Sequence, residues 1–193
     1  MALSLVTAPA AEPVSLAEAK AHLRVDITED DSLITALITA ARQHAEAITR
    51  RQLVTATWDL TLDGWPDGDT ILMPLPPLQG VTSITYKDSG ETVYALLATD
   101  YIVDKAEEPG RIVLAYGKTW PSAALYPAAA ITVRFTAGYG DAAAVPQAIK
   151  QAILLLVAHW YENREATIGG AIQREIPFAV EALLWPYRAL RWF

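Results

Sequence analysis

Two clusters of carboxylates are the first residues of this sequence whose types and spacing could do chemistry. Asp63, Asp67 and Asp69 surround a Trp-Pro step and a Gly, and three carboxylates on one short loop could hold a hard cation through oxygen ligands. They lack the ligand spacing and the terminal Glu of a helix-loop-helix calcium site. The Asp-Gly and Pro-Asp-Gly steps are turn formers, so a solvated hairpin turn is the expected reading. Asp100, Asp104, Glu107 and Glu108 could supply the carboxylate pair of an acid-base hydrolase, which needs two such groups at a set separation. Nothing in their spacing demands it, and an exposed acidic loop is favoured because carboxylates usually lie on surfaces. His22, His44 and His159 fall in separate elements, and no two have the i,i+4 spacing of a helical zinc site. The sequence also lacks a G-x-S-x-G elbow, a P-loop and a G-x-G-x-x-G turn. No residue is therefore assigned to catalysis, to a metal or to a cofactor, and the chain is not expected to be an enzyme.

The six tryptophans are of two kinds. Trp58, Trp65, Trp120 and Trp160 sit in or beside structured stretches and are read as packing. A competing reading makes Trp58, Trp65 and Trp120 stacking platforms of a monomeric glycan-binding module. Trp185-Pro186-Tyr187-Arg188 and Arg191-Trp192-Phe193 form an aromatic and basic terminal run. Exposed Trp, Tyr and Arg anchor interfaces, so this run is read as a partner anchor rather than a tail folded on its own core.

The elements that must position these groups follow from bulk properties and periodicity. A chain of 193 residues that is 52% apolar can bury a full core, as one domain or two small ones. A net charge of −7 argues against a surface that clamps nucleic acid through its phosphates. The absence of cysteine removes disulfides and thiolate sites and fits a reducing compartment. The first residues have no basic segment before their few apolar ones, so no signal peptide is read and the N-terminus is taken as loose. The central element is the stretch over residues 145–165. Pro146 suits a first helical turn, no Gly or Pro follows until Gly169, and residues 152–158 are apolar on every side. That run is too short for a membrane span and predicts a buried helix that other elements must cover.

Ser15 and Glu18 form a capping box that opens a short helix to about Arg24. Thr28 and the following carboxylates predict a second helix, with Thr28 as capping hydroxyl. In that helix Leu33, Ile34, Leu37, Ile38, Ala41, Ala45 and Ile48 recur at helical spacing. Its opposite face carries Thr35, Thr39, Arg42, Gln43 and Glu46, either solvated or in a polar contact. From about Leu53 the period changes to 2, and strands are predicted at 55–62, 70–73, 81–87, 92–97, 101–104, 111–115 and 131–137. A last helix is predicted from Phe178 to about Trp185, stopped by Pro186. The expected fold is α+β: a bundle of about four helices with an antiparallel β region inserted between the second and third. Residues 1–52 and 138–193 would form the helical part with a C-terminal tail, and residues 53–137 the insertion.

Several segments in order carry a family resemblance. They are P-V-S-L-A-E-A-K-A-H-L-R-V-D from Pro13, D-D-S-L-I-T-A-L-I-T-A-A-R from Asp30, and F-T-A-G-Y-G from Phe135. V-P-Q-A-I-K-Q-A-I-L-L-L-V-A-H-W-Y-E-N-R-E from Val145 and L-L-W-P-Y-R from Leu183 complete the set. From Pro13 to Arg188 the chain resembles the head-tail connector (DNA-packaging adaptor) proteins of tailed phages and prophages, in their longer form. Shorter members lack the β region. The resemblance implies a structural virion protein that forms a ring with itself, expected to be a dodecamer, under the portal protein at the head-tail junction. The ring would extend the DNA channel, pass DNA without reading its sequence, and offer a platform to a tail-completion or stopper protein. It would be made in the host cytoplasm and bind no cofactor and no membrane. By the same analogy Trp185, Tyr187, Arg188, Arg191, Trp192 and Phe193 would reach the portal. Arg42, Arg50, Glu162 and Glu165 would serve ring contacts, since a ring needs two complementary faces on each copy. Arg51 and residues 29–31 add further charge of either sign. Ile168, Gly169, Gly170 and Ala171 are the candidate lumen loop, because glycines let a backbone approach an axis closely. An acidic lining would let DNA slide without sticking.

Overall fold

Ser15 opens helix α1 (Leu16–Leu23) through the reciprocal cap expected of it. Its hydroxyl accepts from the Glu18 N–H at 3.2 Å, and the Glu18 carboxylate accepts from the Ser15 N–H at 2.7 Å. The structure, a computed structural model, describes residues 1–163 and 178–189. Helix α2 (Asp31–Thr49) follows, and its cap differs from the expectation. Asp30 is the N-cap residue, and its carboxylate accepts from the Tyr161 hydroxyl rather than from a helix N–H. Thr28 contributes its carbonyl, which accepts from the Asp31 N–H at 3.1 Å. The Asp31 carboxylate is taken by Lys20 at 2.6 Å, which ties α1 to the start of α2.

Helix α3 (Gln147–Glu162) is preceded by a 3-10 turn over Ala142–Ala144, capped by the Asp141 carboxylate. Its buried side is Ile149, Ala152, Ile153, Leu156 and Val157. Leu154, Leu155 and Ala158 are only half-buried, so the apolar stretch is not enclosed on every side as its composition suggests. Ile34, Ile38, Ala41 and Ala45 bury the stripe of α2, and α2 packs on α3. Helix α4 (Phe178–Leu184) buries Val180 and Leu184 and packs on α3; Pro186 lies in the 3-10 turn Trp185–Tyr187 that ends it. These helices form one compact unit, Ala11–Val54 with the described part of Gly140–Arg188.

The other unit holds Met1–Ala10 and Thr55–Tyr139, and all its strand pairs are antiparallel. The N-terminal residues, read from sequence as loose and grouped with the helices, instead form strand β1 (Ala2–Thr7). It pairs with β2 (Ala56–Leu62), with Leu3 opposite Leu60 and Leu5 opposite Trp58. No local pattern announces β1 because its partner lies far along the chain and both its faces stay exposed. The remaining strands are β3 (Thr70–Leu72), β4 (Leu78–Lys87), β5 (Val93–Ala95), β6 (Tyr101–Asp104), β7 (Arg111–Leu114) and β8 (Ile131–Ala137). They make two sheets where the sequence suggested one region: a five-stranded sheet in the order β1-β2-β8-β4-β5, and a three-stranded one in the order β3-β7-β6.

Strand β8 alternates strictly, burying Ile131, Val133, Phe135 and Ala137. These join Leu60, Ile84, Leu78, Ile71, Met73 and Ile112 in one core. Gly110 packs directly against this core, since a Cβ there would lie 2.6 Å from the Leu78 Cβ. The fold is thus α+β, with four α-helices among the described residues and every strand except β1 between α2 and α3.

Candidate functional site

Arg42 was placed by sequence on the polar face of α2, yet it is only 8% exposed. Its Nε donates to Glu12 at 2.7 Å and its guanidinium also donates to Glu46 at 2.6 Å. Thr39 adds a hydroxyl donor to Glu12 at 2.9 Å. The other Glu46 oxygen accepts from the Gln52 amide at 2.8 Å and from the Leu53 N–H at 3.1 Å, and Gln52 donates in turn to the Val54 carbonyl at 3.0 Å. The polar face of α2 therefore makes a polar contact. One guanidinium gathers the segment that enters the helical unit near Ala11 and the segment that leaves it at Val54. Burial works against the Arg42 charge, but the hydrogen bond to Glu12 and the charges of Glu46 and Glu12 outweigh it and hold the guanidinium pKa above its ordinary value. Burial lifts the Glu46 carboxyl above the usual range, and the Arg42 charge and the Leu53 N–H offset that only in part. Glu12 and Gln52 were not singled out from sequence. An Ala-rich context around Glu12 gives no period to reveal its partner.

The other charged residues proposed for ring contacts fall at helix ends. Arg50 is the half-buried C-cap residue of α2 in the left-handed conformation, with φ 58. Arg51 is nearly buried and its Nε donates to the Tyr187 carbonyl. Asp30 and Asp31 are engaged with Tyr161 and Lys20 inside the helical unit. Glu162 is exposed as the last residue of α3. Glu165 and the loop Ile168, Gly169, Gly170 and Ala171 lie outside the described residues, as do Arg191, Trp192 and Phe193.

The described part of the C-terminal run presents an exposed aromatic. Trp185 is 66% exposed, and the Arg188 guanidinium lies 5.4 Å from its ring centroid. Tyr187 and Arg188 are half-buried, and Phe178 at the other end of α4 is exposed. A Trp and an Arg held together on a surface are the residue pair that interface anchors favour.

In the β unit the competing chemistry does not assemble. Trp65 and Trp120 stack on each other at 4.7 Å with ring planes 6° apart, and Trp120 donates to the Gly68 carbonyl at 2.7 Å. Each ring thus uses a face on the other, which serves the packing reading of these tryptophans. Asp63, Asp67 and Asp69 are exposed; Asp63 accepts from the Ala129 N–H at 2.8 Å, which lowers its pKa. Asp100 pairs with Lys118 at 2.7 Å, while Asp104 and Glu107 share Arg111, each at 3.0 Å, so these carboxylates are tied up in ion pairs. The Ala106 N–H and then Arg111 hold Asp104 below the usual carboxylate range, a state unsuited to a general acid. Among the described residues no group of His, Asp and Glu is placed to hold a metal ion, and no helix is long and apolar enough to cross a membrane.

The model of a family described as head completion protein matches residues 13–190. The chain belongs to this family. Solved structures agree over the full length. A chain from the neck of an empty gene transfer agent particle, computed with C6 symmetry, is 28% identical with a TM-score of 0.82, covering 100% of this chain and 98% of that one. A chain from the virion of the native particle is 26% identical with a TM-score of 0.80 and the same coverage. One from the native neck, computed with C12 symmetry, is 27% identical, also with a TM-score of 0.80 and that coverage. No curated protein matches the chain. The resemblance to head-tail connectors read from the sequence is confirmed by this membership. A head completion protein is a structural component of virion assembly, an adaptor between head and tail, and not an enzyme.

Proposed function

We propose that the chain assembles into a ring, twelve copies in the virion, beneath the portal protein at the head-tail junction, after synthesis in the host cytoplasm. The observation that carries this reading is the end-to-end likeness to neck chains of a particle computed with C12 and C6 symmetry. Cyclic symmetry requires each copy to present two different, complementary faces. In the proposed ring Arg50 and Glu162, at the ends of α2 and α3, meet their counterparts on neighbouring copies, with Glu165 beyond. Arg42 acts behind that surface by holding Glu12 and Glu46. The loop Ile168 to Ala171 lines the lumen, and the net charge of −7 lets DNA pass without sticking or sequence-specific contact.

The portal contact is assigned to Trp185, Tyr187, Arg188, Arg191, Trp192 and Phe193. Support comes from the exposure of Trp185 and its pairing with Arg188. The opposite side of the ring is the platform for the tail-completion or stopper protein. The test mixes the full chain with the portal protein of its own virion and counts subunits by native mass spectrometry and electron microscopy. Twelvefold rings seated on portal are expected, and the Trp185→Ala, Arg188→Ala double variant should fail to seat while staying folded. A chain that remains monomeric with portal overturns the ring, and unchanged seating of the double variant overturns the anchor.

A further inference from the structure

The five-stranded sheet has two edges, and neither edge strand carries a charged side chain, although β5 is only three residues long and β1 shifts register between Leu5 and Thr7. At one edge, β1 has all six residues exposed, although Leu3 and Leu5 stand opposite Leu60 and Trp58 and so continue the core face of β2. Leu5 remains 48% exposed there. No charged side chain occurs before Glu12, so the strand carries neither the lysines nor the prolines with which soluble sheets protect an edge. At the other edge, β5 is likewise exposed over Val93, Tyr94 and Ala95, with Val93 at 62%. Among the described residues no strand pairs with the outer side of either.

We infer that β1 of one copy adds to the β5 edge of the next copy, so that the sheets join side by side around the ring. The occupant of the β1 edge is a second copy of this chain. The strand order places these two exposed, uncharged edges on opposite sides of one sheet, and a head-to-tail contact uses two unlike faces in just this way. Edge-to-edge addition satisfies main-chain donors and acceptors along both strands and covers Leu3 and Leu5 with the neighbour's apolar side chains. Two β1 edges meeting about a twofold would give a closed dimer and stop there. The inference rests on the ring reading above.

The chain has no native cysteine, so single thiols can be placed without background. Ser4→Cys, Val93→Cys and the double variant are assembled with portal and treated with a bis-maleimide that spans about 10 Å, enough for direct or diagonal neighbours across strands about 4.8 Å apart. The double variant should give a denaturation-resistant ladder of multimers, and each single variant should give none. Rings that form from the double variant without a ladder overturn the β1–β5 contact and leave the ring reading standing. A dimer from Ser4→Cys alone overturns it in favour of a twofold edge pair, and chains that never assemble overturn both readings. Leu3→Lys with Leu5→Lys should abolish rings at concentrations where the unsubstituted chain forms them. Undiminished rings from that variant also overturn the inference, and the cysteine arm decides if the lysine variant does not fold.

Discussion

Replacing Arg42 by Ala removes the buried cation that two half-buried carboxylates share. The Arg42 side chain is 10% exposed and those of Glu12 and Glu46 are 27% and 16% exposed, so little water can replace the lost donors. Breaking a buried ion pair by deleting one partner costs about 3–5 kcal/mol, and the residual access of Glu12 to solvent places this case near the lower end, at about 3 kcal/mol. That is roughly a 150-fold change in the folding equilibrium, since about 1.4 kcal/mol is tenfold. Urea unfolding followed by the helical circular dichroism signal reads it as a lower midpoint at unchanged slope. The cost arises from the stranded carboxylates, so Arg42→Met combined with Glu12→Gln and Glu46→Gln should recover most of the loss. Arg42→Ala within about 0.5 kcal/mol of the unsubstituted chain, the scatter expected for a surface site, would refute the reasoning. So would a triple variant no more stable than the single one, because the penalty would then not lie in unpaired charge.

The same network and the β core give further expectations. Glu46 has its folded pKa raised, so its contribution is fully present below the unfolded carboxylate value and is lost as pH rises through the folded one. The stability of the unsubstituted chain relative to Glu46→Gln should therefore fall as pH rises through that window, measured by unfolding at a series of pH values. Glu18 is depressed, chiefly by the Ser15 N–H, so its contribution is present above the unfolded value and lost as pH falls through the folded one. Glu18→Gln should accordingly flatten the acid limb of the same profile, and an unaltered limb would contradict this role. Gly110→Ala would force a methyl against Leu78 at 2.6 Å, and overpacking of this kind costs about 1–3 kcal/mol, read as a lower midpoint in the β unit's unfolding.

Much of the fold was legible because its elements advertise themselves locally. The capping box of Ser15 and Glu18, the stripe of α2 and the strict alternation of β8 each appear within one short window of sequence. What was not legible depends on partners distant in sequence. Strand β1 has no buried face of its own to impose a period, and its place is set by β2. Arg42 sits among polar neighbours on α2, a pattern that leaves a solvated face and a polar contact equally open until Glu12 arrives from the preceding linker. The half-covered Leu154 and Leu155 show the converse, since an all-apolar stretch says that burial is wanted and not that this chain alone supplies it. The candidate surfaces followed the same rule. Trp185 and Arg188 were found from composition, whereas the sheet edges needed the strand order.

Strand β8 is bonded on both sides, to β2 and to β4, so it is the middle of a sheet whose other strands all precede it in the chain. A chain growing from its N-terminus therefore makes β1, β2, β4 and β5 before the strand that joins them exists. The helical unit waits in the same way, because α1 and α2 precede the β unit and their partner α3 follows it. Both cores close late and in quick succession, with pairings as distant as Asp59 to Arg134 in the β unit and Asp30 to Tyr161 in the helical one. Folding should thus be slow for a protein of this length, as the loop-closure entropy of these long-range pairings must be met before their contacts compensate. The apolar faces of α2 and β2 stay uncovered through much of synthesis, and chaperone dependence of production is the natural counterpart of this topology.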